Sequence, residues 1–251
     1  MPLHLDHLIV HVRDLEGATE EWRALGLDAT DGGTHPIGTR NSLVRFPDGT
    51  FLELLAIADR EKVREAAPGM LAFAELHPDG PMHWALRTDD IAEARRRLED
   101  AGVKLGPTYD GEGRRSSGKV ARWRSFQIAE PAFPFLVEYA GPPTSAPSER
   151  GIPARGLAAA IVQGVNGPAL ADRLARAFGP LREDGRVQLD SGEVVVVEEP
   201  NQHPGVIGAE LVVDDPERAT AFLAERGVHV IDGWVSDPRL HGLALRVVAE
   251  T

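Results

Sequence analysis

Two stretches of this chain repeat one spacing of polar residues, and that repetition limits the folds open to it. His7 in LDHLIVHVRDL and His83 in PMHWALRTDDI each stand seven residues before an Asp, Asp14 and Asp90. Each Asp stands twelve residues before a Gly, Gly26 and Gly102, and the same spacing returns from Asp215 to Gly227. Each of the first two copies ends in a strand-like stretch with one carboxylate, Glu53 in FLELLAI and Glu138 in FLVEYAG. Self-similarity of this kind is read before any other fold signal. It predicts two like modules that meet and aim four polar groups at one point, which is an expectation of a metal site.

Within the first copy, residues 5–12 alternate as a strand, with His7, Ile9 and His11 on one face. Asp14 is placed as an N-cap and Gly26 as the stop of an amphipathic helix. Residues 31–33 read as a Gly-rich loop, and SLVRF and TFLELLAI as strands around a PDG turn. The second copy follows the same plan from His83. The organisation expected is α+β, with four βαβββ modules in two pairs. Each pair is a half-open curved sheet or barrel with its helices outside. The first pair spans residues 1–141, as modules 1–58 and 80–141 joined by a helical connector, 59–79, broken at Pro68-Gly69. A Pro/Ser-rich linker covers 142–153. Residues 154–251 form a second, degenerate pair without metal ligands, since Gly208 and Ala159 stand where the histidines would.

Composition removes several classes of function. A formal charge of -12, from 27 basic and 39 acidic residues, argues against a nucleic-acid partner. With no cysteine in the sequence, any metal must be held by His, Asp, Glu or water. The amino-terminal MPLHLDHLIV shows no signal-peptide pattern and no apolar run is long enough for a membrane span, so a cytoplasmic protein is expected.

The repeat resembles the vicinal oxygen chelate superfamily, which includes glyoxalase I, methylmalonyl-CoA epimerase, extradiol dioxygenases and bleomycin resistance proteins. Residues 32–55, GGTHPIGTRNSLVRFPDGTFLELL, are similar to a glyoxalase-like branch with a GG-x-H-x-x-G-T-x-N segment. The narrow match runs from residue 5 to about 140. The resemblance implies a divalent metal held by His7, Glu53, His83 and Glu138. A sulfur-free donor set of this kind suits Zn, Ni, Co, Mn or Fe. It also implies a small, oxygen-rich substrate turned over through an enediolate or enolate, with Glu53 or Glu138 moving the proton. His35, Thr39 and Asn41 in the Gly-rich segment, and Arg122, Trp123 and Arg124 in KVARWRSF, are the candidate substrate contacts. Two other readings stay open. One is an Fe(II) dioxygenase using His7, His83 and Glu138; the other is a non-catalytic protein that sequesters a small molecule. A monomer or a homodimer fits either.

Overall fold

The computed structural model describes residues 2–77, 79–141, 151–200 and 202–250. The first module is β1 (His4–His11), α1 (Leu15–Leu25), β2 (Thr30–Thr34), β3 (Thr39–Arg45) and β4 (Phe51–Ile57). A connector of α2 (Arg60–Ala66) and α3 (Pro68–Leu76) leads to the second module. That module is β5 (Gly80–Arg87), α4 (Ile91–Asp100), β6 (Leu105–Arg114), β7 (Val120–Ile128) and β8 (Phe135–Tyr139). The third module is reduced: β9 (Ala154–Gly164), α5 (Gly167–Phe178), a two-residue β10 (Val187–Gln188) and β11 (Glu193–Glu198). The fourth is β12 (Gly205–Val213), α6 (Pro216–Ala224), β13 (His229–Ile231), β14 (Trp234–Ser236) and β15 (Ala244–Ala249).

The caps explain the repeated spacing. Asp14, Asp90 and Asp215 accept the backbone N–H three residues on, at 2.9–3.0 Å, and so start α1, α4 and α6. Asn166 does the same for α5 at 3.0 Å. Gly26 closes α1 at φ +89, a conformation that favours glycine, with its N–H on Arg23 O. The stretch read as a Gly-rich loop is instead β2, paired antiparallel with β3. Glycine is required in it: a Cβ on Gly32 would stand 2.2 Å from Asn41 Oδ1.

The first two modules close into an eight-stranded barrel of order β1-β4-β3-β2-β6-β7-β8-β5, and the others form an open seven-stranded sheet, β10-β11-β9-β12-β15-β14-β13. The shortness of β10, β13 and β14 leaves the second sheet open. In place of a full strand, the third module has the polar turn LREDGR, too short of alternating apolar residues to build one. One continuous apolar core covers the outside of the barrel and the helix-bearing face of the second sheet, from Leu8, Trp22 and Trp84 to Leu174, Leu211 and Leu245. A smaller cluster, Ile9, Leu55, Ala85, Phe135 and Val137, lines the barrel interior, with Met70 of α3, Met82, Trp123 and Tyr139 packed on it.

A polar seam joins barrel and sheet. Leu5 N donates to Ser191 O at 2.8 Å and Leu3 N to Asp190 Oδ2 at 2.7 Å. Asp48 N donates to Arg155 O at 3.1 Å, and Leu157 N to Thr50 Oγ1 at 2.9 Å. Among the described residues no helix is long and apolar enough to cross a membrane.

Candidate acid–base site inside the barrel

Strand alternation decides which polar residues enter the barrel. On β1, Leu5, Leu8 and Val10 belong to the outer core, yet two residues separate Leu5 from Leu8. The pairing of β1 with β5 shifts register between Leu5 and His7. Such a bulge puts Asp6 beside His7 on the inner face. A second shift, between Ile9 and Val10, falls on β5 at Met82, beside His83. Asp6-His7 and Met82-His83 are therefore equivalent pairs in the two modules.

His7 is the centre of the site. Its Nδ1 lies 2.7 Å from Asp6 Oδ2, and its Nε2 lies 3.6 Å from Glu53 Oε2. Its ring stacks on Phe51 at 4.3 Å, and the edge of Phe135 meets it at 5.4 Å. Asp6 is fully buried and accepts from Tyr139 Oη at 2.7 Å and Arg87 at 3.3 Å as well. Three donors suit an ionised acid, so His7 presents Nδ1–H to Asp6, which leaves Nε2 facing Glu53. Glu53 is buried too, and its other oxygen accepts from Asn41 Nδ2 at 2.7 Å. Burial, then the charge and hydrogen bond of Asp6, push the Tyr139 hydroxyl well above its ordinary range, so it stays a donor.

His83 sits across Phe135, with ring centroids 5.2 Å apart. Its Nδ1 accepts from Trp84 N at 3.0 Å and its Nε2–H donates to Gln127 Oε1 at 2.8 Å. Burial pushes it down to about 4, more than Gln127 raises it, and it is neutral at neutral pH.

Glu138 lies on the other side of the wall. Phe135, Val137 and Tyr139 point inward, so Glu138 points out. There it accepts from Arg124 at 2.6 Å and from Ile91 N, at the start of α4, at 3.1 Å. It lines an outer cleft of about 450 Å³ with His4, Arg87, Thr88 and Tyr139. Parallel pairing identifies the true counterpart of Glu53. Ile9 faces Glu53 as Ala85 faces Phe135, so a phenyl ring stands where a fourth ligand would. The expected quartet of His7, Glu53, His83 and Glu138 is thus not brought together, nor is the His7, His83 and Glu138 triad of a dioxygenase. Both nitrogens of His83 are engaged, and no three His, Asp or Glu side chains among the described residues form a group that could hold a metal ion. The donor set does not fit the divalent metal that the resemblance implies.

Of the candidate substrate contacts, Asn41 and Trp123 line the interior. His35 edges onto Trp123 at 5.7 Å, and its Nδ1 pairs with Thr39 Oγ1 at 2.8 Å. Burial lowers the His35 pKa, with Glu53 opposing. Arg122 and Arg124 face outward, toward Glu112 and Glu138.

A family model described as a glyoxalase-like domain matches residues 5–178. The chain therefore belongs to the glyoxalase-like domain family, within the vicinal oxygen chelate fold. Among solved structures it is similar to a hypothetical protein from Staphylococcus aureus, with 15% identity over 99% of this chain and 100% of that one, at TM-score 0.76. A mutant of 4-hydroxymandelate synthase from Streptomyces coelicolor shares 16% identity over 99% and 92%, at TM-score 0.68. The 2,3-dioxygenase LapB from Pseudomonas sp. KL28 shares 15% over 98% and 92%, at TM-score 0.63. These likenesses establish the fold alone. No curated protein matches the chain.

Proposed function

We propose that the barrel binds a small, oxygen-rich molecule and moves a proton at a carbon next to its carbonyl. This is chemistry of the glyoxalase and epimerase type, performed by protein groups. The observation that carries it is the Asp6–His7–Glu53 line. With Nδ1–H given to Asp6, His7 Nε2 and Glu53 Oε2 are two acceptors facing each other at 3.6 Å. That is too long for a direct hydrogen bond, so a proton taken up here sits on one member and leaves the other as a base. One member takes the C–H proton, and the C–H electron pair moves into the enolate. The protonated member gives its proton to the enolate oxygen, and the steps reverse on return. Phe51, Phe135 and Ile9 keep bulk water from the pair, and Asn41 fixes Glu53 in place.

The metal-dependent form of this chemistry would need Glu138 turned inward and His83 freed from Gln127, so the proposal rests on the proton pair. The test is deuterium wash-in at carbon, followed by proton NMR in heavy water with a panel of 2-oxo acids and hydroxyketones. Protein dialysed against chelator should exchange as fast as untreated protein, and Glu53→Gln should slow exchange by about a hundredfold or more. Equal exchange in Glu53→Gln would refute the proton pair. Saturable binding without exchange would favour sequestration instead.

A further inference from the structure

The rim of the barrel carries a cation that the proton-transfer reading leaves unused. Arg45 ends β3, and alternation from Asn41 and Leu43 sets it on the inner face. Register puts Arg45 opposite Phe51, and Phe51 opposite His7, so the three make one row across three strands. The hydrogen bond of the Arg45 side chain, 3.3 Å to Thr30 Oγ1, is long. Arg87, Arg95, Arg186, Arg239 and Arg246 are likewise half-buried, and each reaches a carboxylate within 3.3 Å. Arg45 reaches none among the described residues.

A second guanidinium stands near it. Arg115 opens the β6–β7 turn, half-buried, where Gly33 brings β2 against the backbone of Arg114 and Arg115. Burial and then Arg115 pull Arg45 down to about 10, against Glu53 and Tyr139. It still carries its charge at neutral pH. A planar guanidinium that no described carboxylate reaches, as at Arg45, grips carboxylate or phosphate oxygens in pairs. Two strand spacings, about 10 Å, separate the backbones of His7 and Arg45. An extended Arg side chain spans about 7 Å, so a small acid could reach from Arg45 to the His7 row.

We propose that Arg45, with Arg115 beside it, receives the anionic head, a carboxylate or a phosphate, of the molecule on which the His7–Glu53 pair acts. The second half of that statement rests on the proton-transfer reading; the first does not.

Calorimetric titration of the full chain with pyruvate, inorganic phosphate and neutral acetone, at constant ionic strength, tests it. Saturable binding of pyruvate or phosphate is expected, and the one that binds identifies the source of the anion. Arg45→Gln should weaken that binding by about tenfold or more, and Arg45→Lys should restore part of it. Acetone should not saturate. Binding unchanged in Arg45→Gln, or no saturation by either anion, overturns the anchor whatever the exchange assay gives. Binding lost in Arg45→Gln, with no deuterium exchange in any bound acid, upholds the anchor and overturns the proton pair.

Discussion

Acid should weaken this protein through His83 over a defined range. Its Nδ1 accepts the Trp84 N–H, so protonating that nitrogen would set two hydrogens face to face in a half-buried place. The folded state therefore stays neutral down to about 4, whereas an unfolded histidine takes its proton near 6.5. Between those values the unfolded chain binds the extra proton, and stability falls as pH falls. The loss is complete once the pH is below the folded value, and none of it is felt above the unfolded one. A fall from 6.5 to about 4, at about 1.4 kcal/mol for each tenfold, amounts to about 3 kcal/mol. His83→Gln keeps a polar side chain at the position and cannot titrate. Urea unfolding of both proteins at about pH 7 and about pH 4 reads the effect, because groups distant from His83 cancel in the difference. The variant should lose about 3 kcal/mol less than the parent. Parallel losses in the two proteins would refute the neutral, doubly engaged His83.

Three further outcomes follow from other contacts. Asn41→Ala removes the 2.7 Å donor to buried Glu53, and urea unfolding should show a loss of about 2 kcal/mol. Glu138→Gln breaks a pair whose arginine is half exposed, so it should cost less than about 1 kcal/mol. It should also leave deuterium exchange intact, and loss of exchange would return this carboxylate to the reaction. Arg186→Met strips buried Glu210 of contacts at 2.7 and 2.9 Å and should cost about 3 kcal/mol. Most of that should return in the double variant with Glu210→Met.

The repeat was legible because helix caps obey local rules. Asp14, Asp90 and Asp215 each fix a helix start within three residues, and no distant contact is needed to see it. Strand β2 was not legible, because TDGGT has low strand propensity and is held by its partner β3. The site was half legible. Glu53 and Glu138 look equivalent when their strands are matched by composition. Parity separates them: Glu53 is two residues after inward Phe51, whereas Glu138 is three after inward Phe135. Asp6 was hidden by strict alternation, which sends it outward. The spacing of Leu5 and Leu8, both apolar with two residues between them, was the signal of a bulge. Tyr139 carries no motif, and only the closure of the barrel brings it near Asp6, whereas Arg45 is set near Glu53 by the pairing of β3 with β4.

The seam between barrel and sheet ties the second half of the chain to the strands of the proposed proton pair. Asp190 and Ser191 hold the backbone of Leu3 and Leu5, immediately ahead of Asp6 and His7. Arg155 and Leu157 hold the Asp48 and Thr50 turn that leads into the strand of Glu53. Both partners of the proton pair are thus anchored from outside, by a sheet that contributes no group to it. In the proposed reaction, residues 154–251 would serve as a fixture for the strands that carry His7 and Glu53. A change along that seam would be read first in the rate of proton transfer, before any loss of fold.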